Sequence, residues 1–360
     1  MNTARPAKQP PAAPPAPQPC PGGRTVRRRQ CRSRWRNRGI GRLIARRLAF
    51  LVPTLLVVSF VLFALGAAAP FDPVRQYLGA EAFTARAETY QRIHDNLGLD
   101  QPFWVRWWDW LTNVFTGDLG VSFSMHQPVG QVLAERVGWT MLLVAVAFTG
   151  ALLLGLLLGT ACAHWYDSWF DRTTCGVAYT LQASPVFWLA LLGLWLFAVH
   201  LGWLPAGGLS DTQSATVAFP DLLRHLVLPA GVLLVSQTPW LLLYVRQAMT
   251  AALTEDFVAG AQARGVRTHV VLLRHALPSA LLSWLTLLGT RLPELITGAV
   301  LVETVFSWPG VAGATVQAAK SVDFPLLAAL TMLATLTVVR GNLLADVLYT
   351  VVDPRVVADG

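Results

Sequence analysis

Six stretches of this 360-residue chain, 48–69, 138–163, 175–200, 226–249, 279–302 and 324–350, are apolar over the length of a membrane span. A helix needs about 20 such residues to cross the hydrocarbon core. In lipid every backbone N–H and C=O must find its partner inside the segment, so a chain built of such stretches becomes a helix bundle. Charged residues make up 13% of the chain, against roughly 25% in soluble domains, and no soluble catalytic domain can be fitted between the runs. The expected fold class is an all-α membrane protein with six transmembrane helices.

Charge sets the orientation. Residues 1–47 carry 13 Lys and Arg and no Asp or Glu. The rest of the chain is net acidic, so the formal +8 belongs to the tail and gives no reason to expect a nucleic-acid partner. A basic block beside a first span stays on the cytoplasmic side, and its arginines can touch anionic headgroups of membrane lipid. Six crossings then return the C-terminus to the cytoplasm. They leave 70–137, 201–225 and 303–323 outside and 164–174 and 250–278 inside. The tail is Pro-rich and then Arg-rich and is expected to be disordered. The run after it, about 22 residues, exceeds a secretory h-region and reads as an uncleaved anchor.

The outer segment 70–137 is too polar for the membrane and too long for a turn. Phe103, Trp104, Trp107, Trp108 and Trp110 suit a helix lying at the membrane–water interface, the ligand-stacking cage being the sharper alternative. "GLLLG" at 155–159 permits close packing of two helices.

The inner segment "TEDFVAGAQARGVRTHVVLLRHALP", 254–278, is neither span nor simple loop. Thr254 can cap a helix whose first turn holds Glu255 and Asp256, where the helix dipole favours acids. That helix runs to about Arg264, and Gly265 is a natural stop. At about 15 Å it covers half a bilayer. Phe257, Ala261 and Val258 form a small apolar face, with Arg264 and Arg267 at its end. A second short helix carries Val270 to Leu273 up to Leu277-Pro278, where the proline marks entry to the next span. Such a shape suits a rigid element inserted into a cleft of another protein; the plain alternative is an interfacial loop helix.

Several charges fall inside spans. Arg291 and Glu294 lie three apart on one helix face and can pair; Arg340 in the sixth span can snorkel or meet Asp346. Intramembrane charges point to function by default, which makes Arg291 and Glu294 candidate translocation-path residues. The catalytic vocabulary is missing: there is no GxxxxGK[ST] loop, the only lysines are Lys8 and Lys320, and no HExxH or GxSxG occurs. Cys20, Cys31, Cys162 and Cys175 have no CxxC spacing and suggest neither a disulfide framework nor a metal cage.

"AGAQARGVRTHVVLLRHALP" resembles the EAA loop of permease subunits in binding-protein-dependent ABC importers. Gly260 and Ala261 stand at the paired small positions, followed by Gly265 and then Leu277-Pro278; Ala259 stands where the pattern has its Glu. "LGLDQP" at 97–102, "GDLGVSF" at 117–123, "LVETVFSWPGV" at 301–311 and "DVLYTVVDPRV" at 346–356 are similar to the B-type subunit of the oligopeptide, dipeptide and nickel branch. The outer loop departs from that branch, reading "APFDPV" in place of Pro-Gly-Asp-Pro.

The resemblance implies an ABC type I importer permease-like bundle in a bacterial inner membrane. It divides the chain into a tail 1–47, a first helix 48–69, an extracytoplasmic segment 70–137, a permease core 138–350 with its coupling loop 250–278, and a C-terminal tail 351–360. The implied partners are a second, homologous permease in a heterodimer, two ATPase subunits that hold ATP and Mg, and an extracytoplasmic solute-binding protein. This chain itself would hold no cofactor and no metal. Phe257, Ala261 and Arg264 would touch the ATPase, and Gly265 would make the turn. The competing function is a secondary transporter or channel driven alone by an ion gradient. A membrane-embedded enzyme lacks any nucleophile–base pair.

Overall fold

The computed structural model describes residues 25–68, 72–78, 86–96, 98–210 and 218–352. Helices account for the regular structure of these residues: α1 (Thr25–Ala68), α2 (Pro73–Leu78), α3 (Ala87–Asn96), α4 (Phe103–Thr116), α5 (Val129–His164), α6 (Trp169–Ala183), α7 (Val186–Gly193, continued as a π-helical turn Leu194–His200), α8 (Phe219–Leu253), α9 (Asp256–Ala263), α10 (Thr268–Val271, followed by a π-helical turn Leu272–Ala276), α11 (Leu277–Val305), α12 (Val311–Lys320) and α13 (Phe324–Val352).

Among the described residues, four helices are long and apolar enough to cross a membrane: Ala45–Ala68 within α1, α5, α8 and Phe324–Leu343 within α13. The expected third span is different from the single rod the hydropathy suggests. Trp169–Ala183 and Val186–His200 meet at a bend of 105°, and the pair counts as a fifth span only if the two are taken together. The break falls at Ser184-Pro185, where the proline ring disfavours helical geometry in the residue before it; Ser184 is extended at ψ 129°. The segment expected as the fifth span lies within α11, a 29-residue helix.

One further expectation is corrected. Helix α1 begins at Thr25, so residues 25–47 are helical where a disordered tail is expected. Arginine is a good helix former, and a helix already nucleated by the span propagates cheaply into it. Residues 1–24 lie outside the described residues. Helix α4, which carries the aromatic cluster expected at the interface, packs along α1. Trp107 and Trp110 face Phe60 and Phe63 of α1, at ring distances of 5.3 Å in both cases. The Trp107 indole donates to the Ser59 hydroxyl at 3.1 Å, while Trp104 and Trp108 stay exposed.

The exposed surface carries large apolar side chains along the spans, among them Phe50 and Val57 on α1 and Leu153 and Leu157 on α5. A soluble protein would bury such rows; lipid solvates them. Inside, α5 and α8 make the closest crossing. A Cβ on Gly155 would lie 2.6 Å from the Leu241 Cβ, and one on Gly159 would lie 2.7 Å from both the Leu242 carbonyl and the Val245 Cβ. The small residues of "GLLLG" therefore let two backbones meet, as expected from the sequence.

Candidate functional site

Helix α8 runs out of the bundle at Leu253 and the chain turns back at once as α9. Thr254 does not cap α9. Its hydroxyl donates to the Ala251 carbonyl at 2.7 Å, closing the end of α8, because in helical geometry (φ −90°, ψ −2°) that oxygen reaches backward rather than forward. Asp256 stands in the first turn of α9, where its charge meets the positive end of the dipole.

The other end of α9 is a Schellman closure. The Val266 amide donates to the Ala261 carbonyl at 3.2 Å, and Gly265 between them has φ +78°, the left-handed conformation that only glycine adopts without cost. Val266 folds back onto Val258, Ala261 and Val271, the apolar contact that accompanies this motif.

Val258 and Ala261 are 0% and 1% exposed. Ala261 therefore packs the hairpin together and cannot be the contact surface that the sequence suggests: its side chain faces Val271, not a partner. Gly260 on this helix and Arg264 just past its end are exposed, and the Arg264 guanidinium lies over the helix end, donating to the Gly260 carbonyl at 3.0 Å. The side chains of Phe257 and Ala259 lie outside the described residues. On the return strand of the hairpin Val271 and Leu272 are buried, and Leu273 is 56% exposed.

The next long helix, α11, begins at Leu277 with Pro278 in its first turn, where the sequence places the entry to the next span. The second short helix passes through the π-helical turn, in which the Leu277 amide donates to the Leu272 carbonyl, straight into α11. Proline lacks an N–H and its ring clashes with the carbonyl four residues back; the wider turn just before Pro278 takes up that mismatch. Leu272, Ala276 and Leu277 pack against Val245, Met249 and Ala252 of α8. The hairpin is thus cemented at its base and exposed at its tip.

One turn of bundle above that base lies a buried ion pair. Arg246 of α8 grips Asp171 of α6 with both arms, Nε to Oδ1 at 2.6 Å and Nη2 to Oδ2 at 2.7 Å. The Asp171 side chain is 1% exposed. It also accepts from the Asp167 amide at 2.9 Å and the Cys175 thiol at 3.4 Å, and the Arg246 guanidinium rests over the Tyr166 ring at 5.1 Å. Cys162, Asp171 and Cys175 bring their ligand atoms within 4.8 Å of one another. The guanidinium already occupies both carboxylate oxygens, and its charge opposes a metal cation there. Outside the helix, the Arg172 guanidinium holds the exposed Asp167 carboxyl below its usual range. Nothing in the sequence singled out the Asp171–Arg246 pair; buried charges pair across the fold, here 75 residues apart.

Glu294 of α11 lines a cavity of about 370 Å³ at the bend between α6 and α7, together with Gln182, Ser184, Ser236, Trp240 and Thr297. The Arg291 side chain lies outside the described residues. The expected partner of Arg340 is taken: Asp346 accepts from Arg47 of α1, Nε at 3.0 Å. Residues 340 and 346 are six apart, which puts them on different faces of a helix with 3.6 residues per turn, whereas α1 packs against the face that bears Asp346.

At the far end of α11 the remaining motifs form a scaffold. Glu303, 1% exposed, accepts the Ala312 amide at 2.8 Å, and its carboxylate lies against Gly310 so closely that a Cβ there would overlap it. Trp308 donates to the Trp139 carbonyl at 3.0 Å. Asp323, fully buried, accepts from the Ser124 amide and hydroxyl, both at 2.9 Å, and from Ser122. "GDLGVSF" is therefore a cross-brace from the 70–137 segment to the start of α13, and "SWPGV" one from the end of α11 to α5.

The sequence matches two protein families, described as binding-protein-dependent transport system inner membrane component, over residues 151–358, and the N-terminal portion of such a membrane component, over residues 40–144. It is 37% identical over 314 residues to a putative peptide transport system permease protein of Brucella abortus, covering 87% of this chain and 98% of the relative. The oligopeptide transport system permease protein AppB of Bacillus subtilis is 34% identical with the same coverage. The glutathione transport system permease protein GsiC of Salmonella choleraesuis is 33% identical, over 87% of this chain and 98% of the relative.

Proposed function

This chain belongs to the binding-protein-dependent transport system inner membrane component family, and from that premise we propose a peptide permease whose 254–278 hairpin receives the stroke of a partner ATPase. The chain is a multi-pass membrane permease subunit of an ABC importer, a system that includes ATPase and solute-binding partners. The cargo proposed is a short peptide, in line with the names of the relatives. In the proposed assembly the chain crosses the inner membrane six times with both termini in the cytoplasm. A second, homologous permease completes the pathway in a heterodimer, and ATP and its magnesium sit on the two ATPase subunits, none on this chain.

The observation that carries the coupling role is the build of the hairpin. Its base is set in the packed core between α8 and α11, its turn is closed by Gly265, and its tip offers Gly260, Arg264 and Leu273 to a partner. Phe257 and Ala259 belong to the same proposed contact by position, and Ala261, Leu277 and Pro278 hold the hairpin's shape. Nucleotide-driven closure of the ATPases moves such an element as a rigid body, and the bundle changes its opening with it, a population shift between two packed states. Glu294, with Arg291 one turn away, is proposed to line the path that this motion opens and shuts.

Purification of the tagged protein in mild detergent, with mass spectrometry of what accompanies it, tests the assembly. A second permease and P-loop ATPases are the expected companions. A single chain that moves solute in proteoliposomes without nucleotide would overturn the proposal in favour of an ion-driven transporter.

A further inference from the structure

The mechanism above leaves Arg106 unused. Its Nε is buried and has no hydrogen-bond partner among the described residues, and a buried donor left unpaired is costly. Burial pulls its pKa below the usual arginine value. It lines a cavity of about 670 Å³ bounded by the last turns of α1, the first of α13, α4 and the chain around residues 95–101, at the end of the bundle away from the hairpin. Cavities of roughly 300–1,000 Å³ are the size that holds small organic ligands.

The lining has a definite chemistry. Arg106, Asp109 and Asn113 of α4 all line it and follow one another at helical spacing, so one face of that helix presents a cation, an anion and a carboxamide. Asn96 and Gln101 add two more carboxamides, and Phe63 and Phe324 supply apolar wall. Phe324 can stand there because α1 has a glycine beside it; a Cβ on Gly66 would lie 2.6 Å from its ring. Asp95, also in the wall, is engaged by Gln91 at 3.5 Å and faces His94.

We propose that this cavity is a receiving site for a short zwitterionic peptide, its terminal carboxylate on Arg106, its ammonium toward Asp109 and its amide groups on the three carboxamides. The inference rests on the peptide cargo proposed above. A phospholipid phosphate would also suit Arg106. The three carboxamides in the wall, however, match peptide bonds, which such a headgroup lacks.

The test is binding of trialanine to the assembled transporter in nanodiscs, without its solute-binding protein, compared with the C-terminally amidated peptide. The wild type is expected to bind trialanine saturably and the amide at least tenfold more weakly. Arg106→Gln is expected to bind both at the weak level, and Asn113→Leu, at an exposed position, to lose several-fold. ATPase activity stimulated by the binding protein reports that each variant is assembled. Equal trialanine binding by wild type and Arg106→Gln would overturn the site. So would native mass spectrometry finding a phospholipid held by Arg106 that trialanine does not displace. ATP-dependent uptake by the wild-type complex separates the two levels: peptide uptake without peptide binding at Arg106 defeats this site alone, whereas absence of any peptide uptake defeats the cargo and the site together.

Discussion

Gly265 allows the coupling role to be tested by a graded perturbation. Its φ is +78°, and a Cβ built on it meets nothing within 4 Å. A side chain there therefore costs only what the left-handed backbone costs. That is roughly 1–2 kcal/mol for an ordinary residue, less for Asn, which visits this conformation readily, and more for a β-branched residue. For Gly265→Val about 2–3 kcal/mol is concentrated on one turn. The turn is held by the Arg264 and Val266 amides on the Ala261 carbonyl and a small cluster of Val258, Ala261, Val266 and Val271. At about 1.4 kcal/mol per tenfold, the correctly shaped hairpin falls roughly 30- to 100-fold in population relative to misshapen alternatives. ATP-dependent uptake by the reconstituted transporter should then fall in the order Gly, Asn, Ala, Val. The Val variant should lose at least tenfold while its level in the membrane is unchanged, since the spans are untouched. Normal uptake by Gly265→Val would refute the coupling role. Equal loss in Asn and Val variants would refute the backbone argument, because only a requirement for bare surface at 265 would treat them alike.

Two further predictions follow from buried charge. Arg246→Met strands the Asp171 carboxylate, 1% exposed, and should destabilise the permease by about 3 kcal/mol, whereas the Asp171→Leu, Arg246→Met double variant should return to within about 1 kcal/mol of wild type; detergent-denaturant unfolding of the purified protein measures both, and a double variant as weak as the single would refute the ledger. Gly310→Ala drives a methyl into the Glu303 carboxylate and should reduce the yield of assembled permease several-fold, with partial rescue by Glu303→Asp, whose shorter side chain withdraws; pulse-chase stability in membranes checks it, and full yield of Gly310→Ala would show that the Glu303 brace gives way freely.

The sequence discloses what depends on local composition. Lipid solvation forces long apolar runs, so the spans of α1, α5, α8 and α13 are visible in it; a glycine after a short amphipathic helix announces the turn at 265, and spaced glycines announce the crossing of α5 on α8. It discloses less where one residue decides between two local geometries. The apolar average over 175–200 conceals a bend of 105°, although Ser184-Pro185 carries the signal. Thr254 sits where two helices meet, and only backbone geometry decides which one its hydroxyl serves. Least legible are partnerships between distant segments. Asp171 has Arg172 beside it in sequence and takes Arg246 instead, leaving Arg172 to Asp167; Asp346 takes Arg47, 299 residues away. The hydrophobic pattern fixes which faces turn inward, but the choice among several inward charges is made by helix packing.

Helix α8 ties these elements into one device. Below Pro239 it is bolted to α5 through Gly155 and Gly159, to α6 through Arg246 and Asp171, and to the hairpin through Met249 and Ala252. In the proposed cycle a push on α9 is therefore passed to α5, α6 and α8. Pro239 interrupts the helical hydrogen-bond ladder because it has no amide hydrogen to donate, and Thr238 turns its hydroxyl back onto the Leu234 carbonyl at 2.8 Å just there, a contact that loosens and bends helices. The interrupted ladder lies between Ser236 and Trp240, two walls of the cavity that holds Glu294, and beside the bend at Ser184-Pro185, which forms a third wall. In the proposed cycle work done on the hairpin thus passes along α8 to the level of that cavity, where Glu294 is proposed to face the path.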